Sequence, residues 1–116
     1  MPLRVLLVDD HAAFRAAATA LLERDGIAVL AAVADGETAI AEAARLRPDV
    51  VLVDVQLPDL DGFDVAAAVA REGGAPVVLM SSRDRSTYAD RIACSPARGF
   101  IPKQSLSGPA LRLLLA

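Results

Sequence analysis

Four apolar blocks punctuate the chain: residues 3–8 (LRVLLV), 27–33 (IAVLAAV), 50–53 (VVLV) and 77–80 (VVLM). Short runs of this kind read as strands, and the unbroken β-branched and aliphatic run 50–53 suits one buried on both faces of a parallel sheet. A fifth, smaller strand is predicted at residues 99–101 (GFI). Between the blocks the apolar positions recur at spacings of three and four, the helical period. Residues 11–24 carry Phe14, Ala17, Ala18, Leu21 and Leu22 as one stripe. A second helix presents Ala39, Ile40, Ala43, Ala44 and Leu46, and a third, over 62–72, presents Val65, Ala66 and Val69. From 83 to 95 the pattern is poor, with only Tyr88, Ala89, Ile92 and Ala93 as an inner stripe, and predicts a short, weakly anchored helix. A closing helix follows Ser107 through Leu111, Leu114 and Leu115.

The punctuation agrees with these elements. Asp10, Asp35, Asp61 and Ser107 stand where N-caps are wanted, because their side-chain oxygens can accept from the free amides of a first turn. Gly26 and Gly73-Gly74 stand where helices stop, and Pro48 and Pro96 forbid continuation. Strict alternation of strand and helix, with short loops and no repeat or linker, yields a doubly wound α/β fold: a five-stranded parallel sheet with five helices. A flavodoxin-like strand order, 2-1-3-4-5, is expected.

Composition narrows the function. At 116 residues the chain reads as one domain, spanning 1–116. No run of eighteen apolar residues is present, so no membrane-spanning helix is expected. Cys94 is the only cysteine, which rules out an internal disulfide and suits a cytoplasmic location. A net charge of −3 offers nucleic acid no general attraction, so this chain alone is not expected to bind it. The end at LRLLLA, without a polar tail, suggests an output domain absent from this chain.

The chemistry gathers at strand ends. Asp9 and Asp10 follow the first strand and Asp54 ends the third, and the expected strand order makes those strands neighbours at the point where open α/β sheets build their sites. Three close carboxylates repel one another and call for a hard divalent cation; Mg²⁺ is the natural choice, since it binds oxygen and works with phosphate. Ser81 and Lys103 fall on the same rim. Acid pair, nucleophilic carboxylate, hydroxyl and lysine together suit a phosphoryl group attacked by Asp54.

LLVDDH (6–11), VLVDVQLPDLDG (51–62), VLMSS (78–82) and GFIPK (99–103) resemble, in order and spacing, the receiver domains of bacterial two-component response regulators. The resemblance covers the whole chain, and DDHxxFR (9–15) with the Ala-rich body is similar to receivers attached to LuxR-type helix-turn-helix domains. It implies a phosphorylation-dependent switch, not an enzyme acting on external substrates, whose Asp54 accepts a phosphoryl group from a sensor histidine kinase. It implies Mg²⁺ held by Asp9, Asp10, Asp54 and the backbone carbonyl of Gln56, with Ser81 and Phe100 as the switch pair and Lys103 as the phosphate-pairing lysine. Gln56 and Arg83 would flank the path of hydrolytic water and shield the phosphoryl group. Helix four, strand five and helix five would form the output face, through which the chain could dimerise.

Two positions depart from that pattern. Gln104 follows Lys103 where many receivers have proline, and Phe100 replaces a tyrosine, so switching must be read through packing alone. Asp10 also reads as a plain helix cap, and His11 as a surface residue at a helix start, because Mg²⁺ prefers oxygen. A haloacid-dehalogenase-like phosphohydrolase also uses a strand-end aspartate and Mg²⁺, but it needs an acid two residues on, where Gln56 cannot donate a proton. A degenerate receiver kept only for binding is opposed by the intact set Asp9, Asp10, Asp54, Ser81 and Lys103.

Overall fold

The apolar blocks pair as strands of one parallel sheet. The computed structural model describes residues 2–116. In chain order the elements are β1 (Arg4–Val8), α1 (Ala12–Arg24), β2 (Ala28–Val33), α2 (Gly36–Leu46), β3 (Val50–Asp54), α3 (Gly62–Arg71), β4 (Val77–Ser81), α4 (Ala89–Cys94), β5 (Gly99–Pro102) and α5 (Gly108–Leu115). Single 3₁₀ turns, Arg85–Tyr88 and Lys103–Ser105, precede α4 and follow β5. All strands are parallel in the order β2-β1-β3-β4-β5, the expected doubly wound flavodoxin-like fold.

Each face of the sheet has its own core, as strand alternation requires. Leu6, Val8, Val51, Val53 and Leu79 meet Ala39, Val65, Ala66 and Val69 on one side. Val5, Leu7, Val50, Leu52 and Met80 meet Ala18, Leu22 and Leu111 on the other. Every residue of β3 and β4 is buried, which is why both read as unbroken apolar runs.

Caps fall largely where the side chains predicted them. Asp35 accepts from the Thr38 amide at 2.8 Å, Ser107 from Ala110 at 3.1 Å, and Asp61 with Asp64 closes a reciprocal capping box on α3. Gly26 and Gly73 take the left-handed conformation (φ 82° and 66°) just past their helices. The first helix differs. Its N-cap is His11, with no side-chain cap, and Asp10 caps nothing. Asp9 Oδ1 instead accepts from the His11 amide at 2.8 Å, so the turn before α1 is organised by the buried acid.

The helical stripes are narrower than the spacing predicts, and alanines make the difference. Ala17, Ala44, Ala89 and Ala93 all lie outside the buried set, while Phe14, Ala18, Leu22, Ala39, Ile40, Ala43, Leu46 and Ile92 pack inward. The weak pattern of residues 83–95 is realised as a 3₁₀ turn leading into a six-residue helix in which Ile92 alone is buried.

Candidate functional site

Register brings the site together. Val8 pairs with Val53, so Asp9 and Asp54 follow side by side at the carboxyl edge of the sheet. Asp54 pairs with Met80 and Ser81 with Pro102, which sets Ser81 and then Lys103 along the same edge. Asp9, Asp10, His11 and Asp54 each offer one ligand atom, all lying within 4.8 Å of one another. The acids predicted to converge therefore do so, and His11, exposed at the start of α1 as expected, sets its Nδ1 beside Asp9 and Asp10.

Lys103 bridges the two buried acids. Its Nζ is 2.6 Å from Asp9 Oδ2 and 3.1 Å from Asp54 Oδ2. It donates a hydrogen bond to Asp54. The shorter contact, to Asp9, is a buried ion pair. The ammonium also lies 4.5 Å from the centre of the Phe14 ring, a cation–π contact that sequence reasoning missed because Phe14 reads only as part of the α1 stripe. Gln104 after Lys103 does not keep the ammonium from reaching Asp54.

Burial pushes the Asp54 carboxyl above its ordinary range; the charge and hydrogen bond of Lys103 oppose this, while the Asp9 charge adds to it. Burial pulls Lys103 the other way, but the close Asp9 carboxylate and the Asp54 charge outweigh it and hold the ammonium more firmly protonated than usual. Both groups are thus shifted upward, the acid toward its neutral form and the lysine toward its charged one, as in a site built around charge.

The remaining predicted residues lie around this centre. The Gln56 amide donates to Asp54 Oδ1 at 3.3 Å, and its side chain is exposed. Ser81 is buried, and its hydroxyl accepts from the Arg83 amide at 3.0 Å. Arg83 itself is exposed, and its guanidinium makes no ion pair among the described residues. Phe100 is buried 6.3 Å, centre to centre, from Tyr88, which stands 6.1 Å from Phe63. Arg91 covers Phe63 at 4.2 Å and pairs with Asp61 at 2.7 Å, tying α4 to the loop after Asp54. Asp59, which reads in the sequence only as a turn residue, accepts from the Gly36 and Glu37 amides and holds the start of α2.

The donors suit Mg²⁺: hard carboxylate oxygens of Asp9, Asp10 and Asp54 gathered in one cleft. Fold and site together define a parallel α/β domain with an acid cleft and a bridging lysine. Residues 5–112 match the family model for the response regulator receiver domain, and the chain belongs to that family. Its relatives include a protein-glutamate methylesterase/protein-glutamine glutaminase of Anaeromyxobacter dehalogenans, 49% identical over 93% of this chain and 31% of that one. Another is the probable transcriptional regulatory protein TcrX of Mycobacterium tuberculosis, 41% identical over 84% of this chain and 41% of that one. The chain thus spans less than half the length of either relative. Among solved structures, the receiver domain of the putative response regulator NarL from M. tuberculosis superposes with TM-score 0.88 at 28% identity, covering 99% of this chain and 98% of that one. A LuxR-family response regulator from Aurantimonas sp. SI85-9A1 gives 0.84 at 29% identity, covering 97% and 81%. Among the described residues no helix is long and apolar enough to cross a membrane.

Proposed function

We propose that this receiver accepts a phosphoryl group on Asp54 from the phosphohistidine of a sensor histidine kinase and passes the change to an output domain or partner. The observation that carries the reading is the Lys103 bridge between Asp9 and Asp54, which already places a cation against the acceptor carboxylate. An Asp54 carboxylate oxygen forms the new bond to phosphorus as the bond from phosphorus to the imidazole nitrogen breaks, and the imidazole leaves. Lys103 pairs with the phosphoryl oxygens, and the Ser81 hydroxyl leaves the Arg83 amide to meet them. Asp9, Asp10, Asp54 and the Gln56 carbonyl would hold Mg²⁺, which supplies charge neutralisation for the phosphoryl oxygens. On this reading the chain turns over no external substrate, and its setting is the cytoplasm.

Labelling by acetyl phosphate, followed by intact mass, is expected to require Mg²⁺ and to stop in EDTA. Mg²⁺ should also raise the melting temperature, since a ligand at ten times its Kd stabilises by about 1.4 kcal/mol. Labelling that proceeds equally in EDTA overturns the metal reading.

The change is proposed to leave through α4, β5 and α5. The 3₁₀ turn before α4 buries no residue and α4 buries only Ile92, so this side opens at low cost, beside Phe100. The same face is the proposed surface for homodimerisation. Hydrogen exchange with and without beryllofluoride should differ most over residues 85–116. Differences confined to α2 would sink the assignment.

Gln56 and Arg83 are proposed to shield the phosphoryl group. In the resting structure both side chains are exposed at the mouth of the site, and shielding requires Arg83 to fold over the phosphoryl oxygens once they arrive. The Arg83→Ala variant should then lose its phosphoryl group faster than wild type. Equal half-lives leave Arg83 a surface arginine.

A further inference from the structure

At the amino edge of the sheet, opposite the acid cleft, the carboxyl ends of α2 and α3 border a cavity of about 290 Å³. That is close to the lower limit, roughly 300 Å³, of pockets that hold small molecules. The cavity lies a full strand length from Asp54, on the order of 15 Å. Ala43 and Pro48 line it from the α2 side, Val69 and Ala75 from the α3 side, and three of these four are continuous with the core on that face. Two charged side chains complete the lining, Arg47 and Glu72, one beside each helix end. Neighbouring charges find partners: Arg45 pairs with Glu42, and Arg4 with Asp49. Arg47 and Glu72 form no ion pair among the described residues, not even with each other across the cavity they share. Arg47 also holds a left-handed backbone (φ 47°), alone in this among the described non-glycine residues. Its amide donates to the Ala43 carbonyl and its own carbonyl accepts from Arg4, which fixes that conformation. Such a backbone favours glycine or asparagine, so local geometry gives no reason for an arginine here.

We propose that this cavity binds a free α-amino acid with an aliphatic side chain the size of leucine. The carboxylate of the occupant meets Arg47, its ammonium meets Glu72, and its side chain lies on Ala43, Pro48, Val69 and Ala75. Opposite charges beside an apolar floor match a zwitterion that carries an apolar group; a simple anion or a hydrocarbon would engage only part of the lining. The carbonyl ends of α2 and α3 carry partial negative charge, which adds to the preference of the Glu72 side for an ammonium. Both charged contacts are of the charge-assisted kind, the stronger class of hydrogen bond. Nothing in the site uses the acid cleft, so the proposal stands apart from phosphoryl acceptance. The rival account is that Arg47 and Glu72 are solvated surface charges beside a cleft that holds only water.

Titration of L-leucine into the isotopically labelled whole chain, followed amide by amide in NMR spectra, gives the test. Shifts should concentrate at residues 43–48 and 69–75 and leave 9–11 and 54–56 unmoved. L-Leucinamide lacks the carboxylate and N-acetyl-L-leucine lacks the ammonium. Each should bind at least about tenfold more weakly than leucine, the loss of one charge-assisted bond. Arg47→Asn removes the guanidinium while asparagine tolerates the left-handed backbone, and Glu72→Gln keeps the shape of an exposed side chain, so both variants should fold. Each should weaken leucine about tenfold. Arg47→Asn should bind leucinamide no more weakly than wild type does, and Glu72→Gln should do the same for N-acetyl-leucine, because each pair removes the two halves of one contact. Absence of shifts at these residues up to about 10 mM leucine overturns the proposal. So do shifts that the analogues and variants reproduce at wild-type strength, since the cleft then takes an apolar group without reading its charges.

Discussion

Asp54→Asn is expected to abolish labelling by acetyl phosphate and, at neutral pH, to raise the melting temperature. Asparagine keeps the shape of the side chain but cannot form the acyl phosphate, so loss of labelling with an intact fold assigns the acceptor. Label appearing on another residue refutes the assignment. The stability gain comes from burial. The folded chain holds the Asp54 proton more tightly than the unfolded chain, chiefly because the carboxylate is desolvated, with the Asp9 charge adding to this and Lys103 only partly offsetting it. Where a group's folded pKa is raised, the folded state binds more protons, so stability falls as pH rises from the ordinary carboxylate value to the raised one. Above both values the penalty persists undiminished. The Asn variant removes it, so wild type and variant should differ most in melting temperature at neutral pH and converge as acid protonates Asp54. A variant that melts lower at pH 7 shows that the Lys103 bridge outweighs desolvation.

That a buried strand-end carboxylate should cost stability explains why the proposed acceptor is easy to find. A strand of β-branched and aliphatic residues buried on both faces has no structural use for a terminal aspartate, so Asp54 stands out against Val50–Val53. Strand order then follows from βα alternation, and the register turns that order into neighbouring acids. The alanines are less legible. Ala17 and Ala18 read alike on a helical stripe, yet one is exposed and the other buried, because a methyl group is tolerated on either side of a helix. Contacts that loops and helices make away from the strand register are not legible. Asp59 reaching the first turn of α2, Arg91 joining Asp61 across thirty positions, and Phe14 beside Lys103 depend on how loops fold over the sheet edge. No spacing along one element encodes them. His11 escapes the sequence for a related reason: Mg²⁺ does ignore imidazole, but only the turn at Asp9 shows that the ring lies back over the acids.

Gly62→Ala should destabilise the domain by about 1–3 kcal/mol and impair phosphoryl acceptance with it. Gly62 opens α3 directly behind the acceptor, and its amide donates to the Val55 carbonyl at 2.8 Å. A Cβ there would stand 2.7 Å from the Asp54 carbonyl oxygen, 3.0 Å from Val55 Cα and 3.1 Å from Leu79 Cδ2. Two of those atoms are backbone at the end of β3, and neither can rotate away. Relief requires α3 to back off the sheet, or β3 to shift, and a shift of β3 carries Asp54 with it. Gly73→Ala is the control. Gly73 has φ 66°, and a methyl group added there would meet nothing within 4 Å. Alanine at Gly73 therefore costs only left-handed strain, on the order of 1 kcal/mol, away from the acids. Urea denaturation of the two variants, with acetyl phosphate labelling rates alongside, separates the effects. Gly62→Ala should lose both stability and labelling rate, Gly73→Ala stability alone. If Gly62→Ala unfolds at the wild-type midpoint, the contact between α3 and the end of β3 is looser than these distances require, and the acceptor does not depend on it for its position.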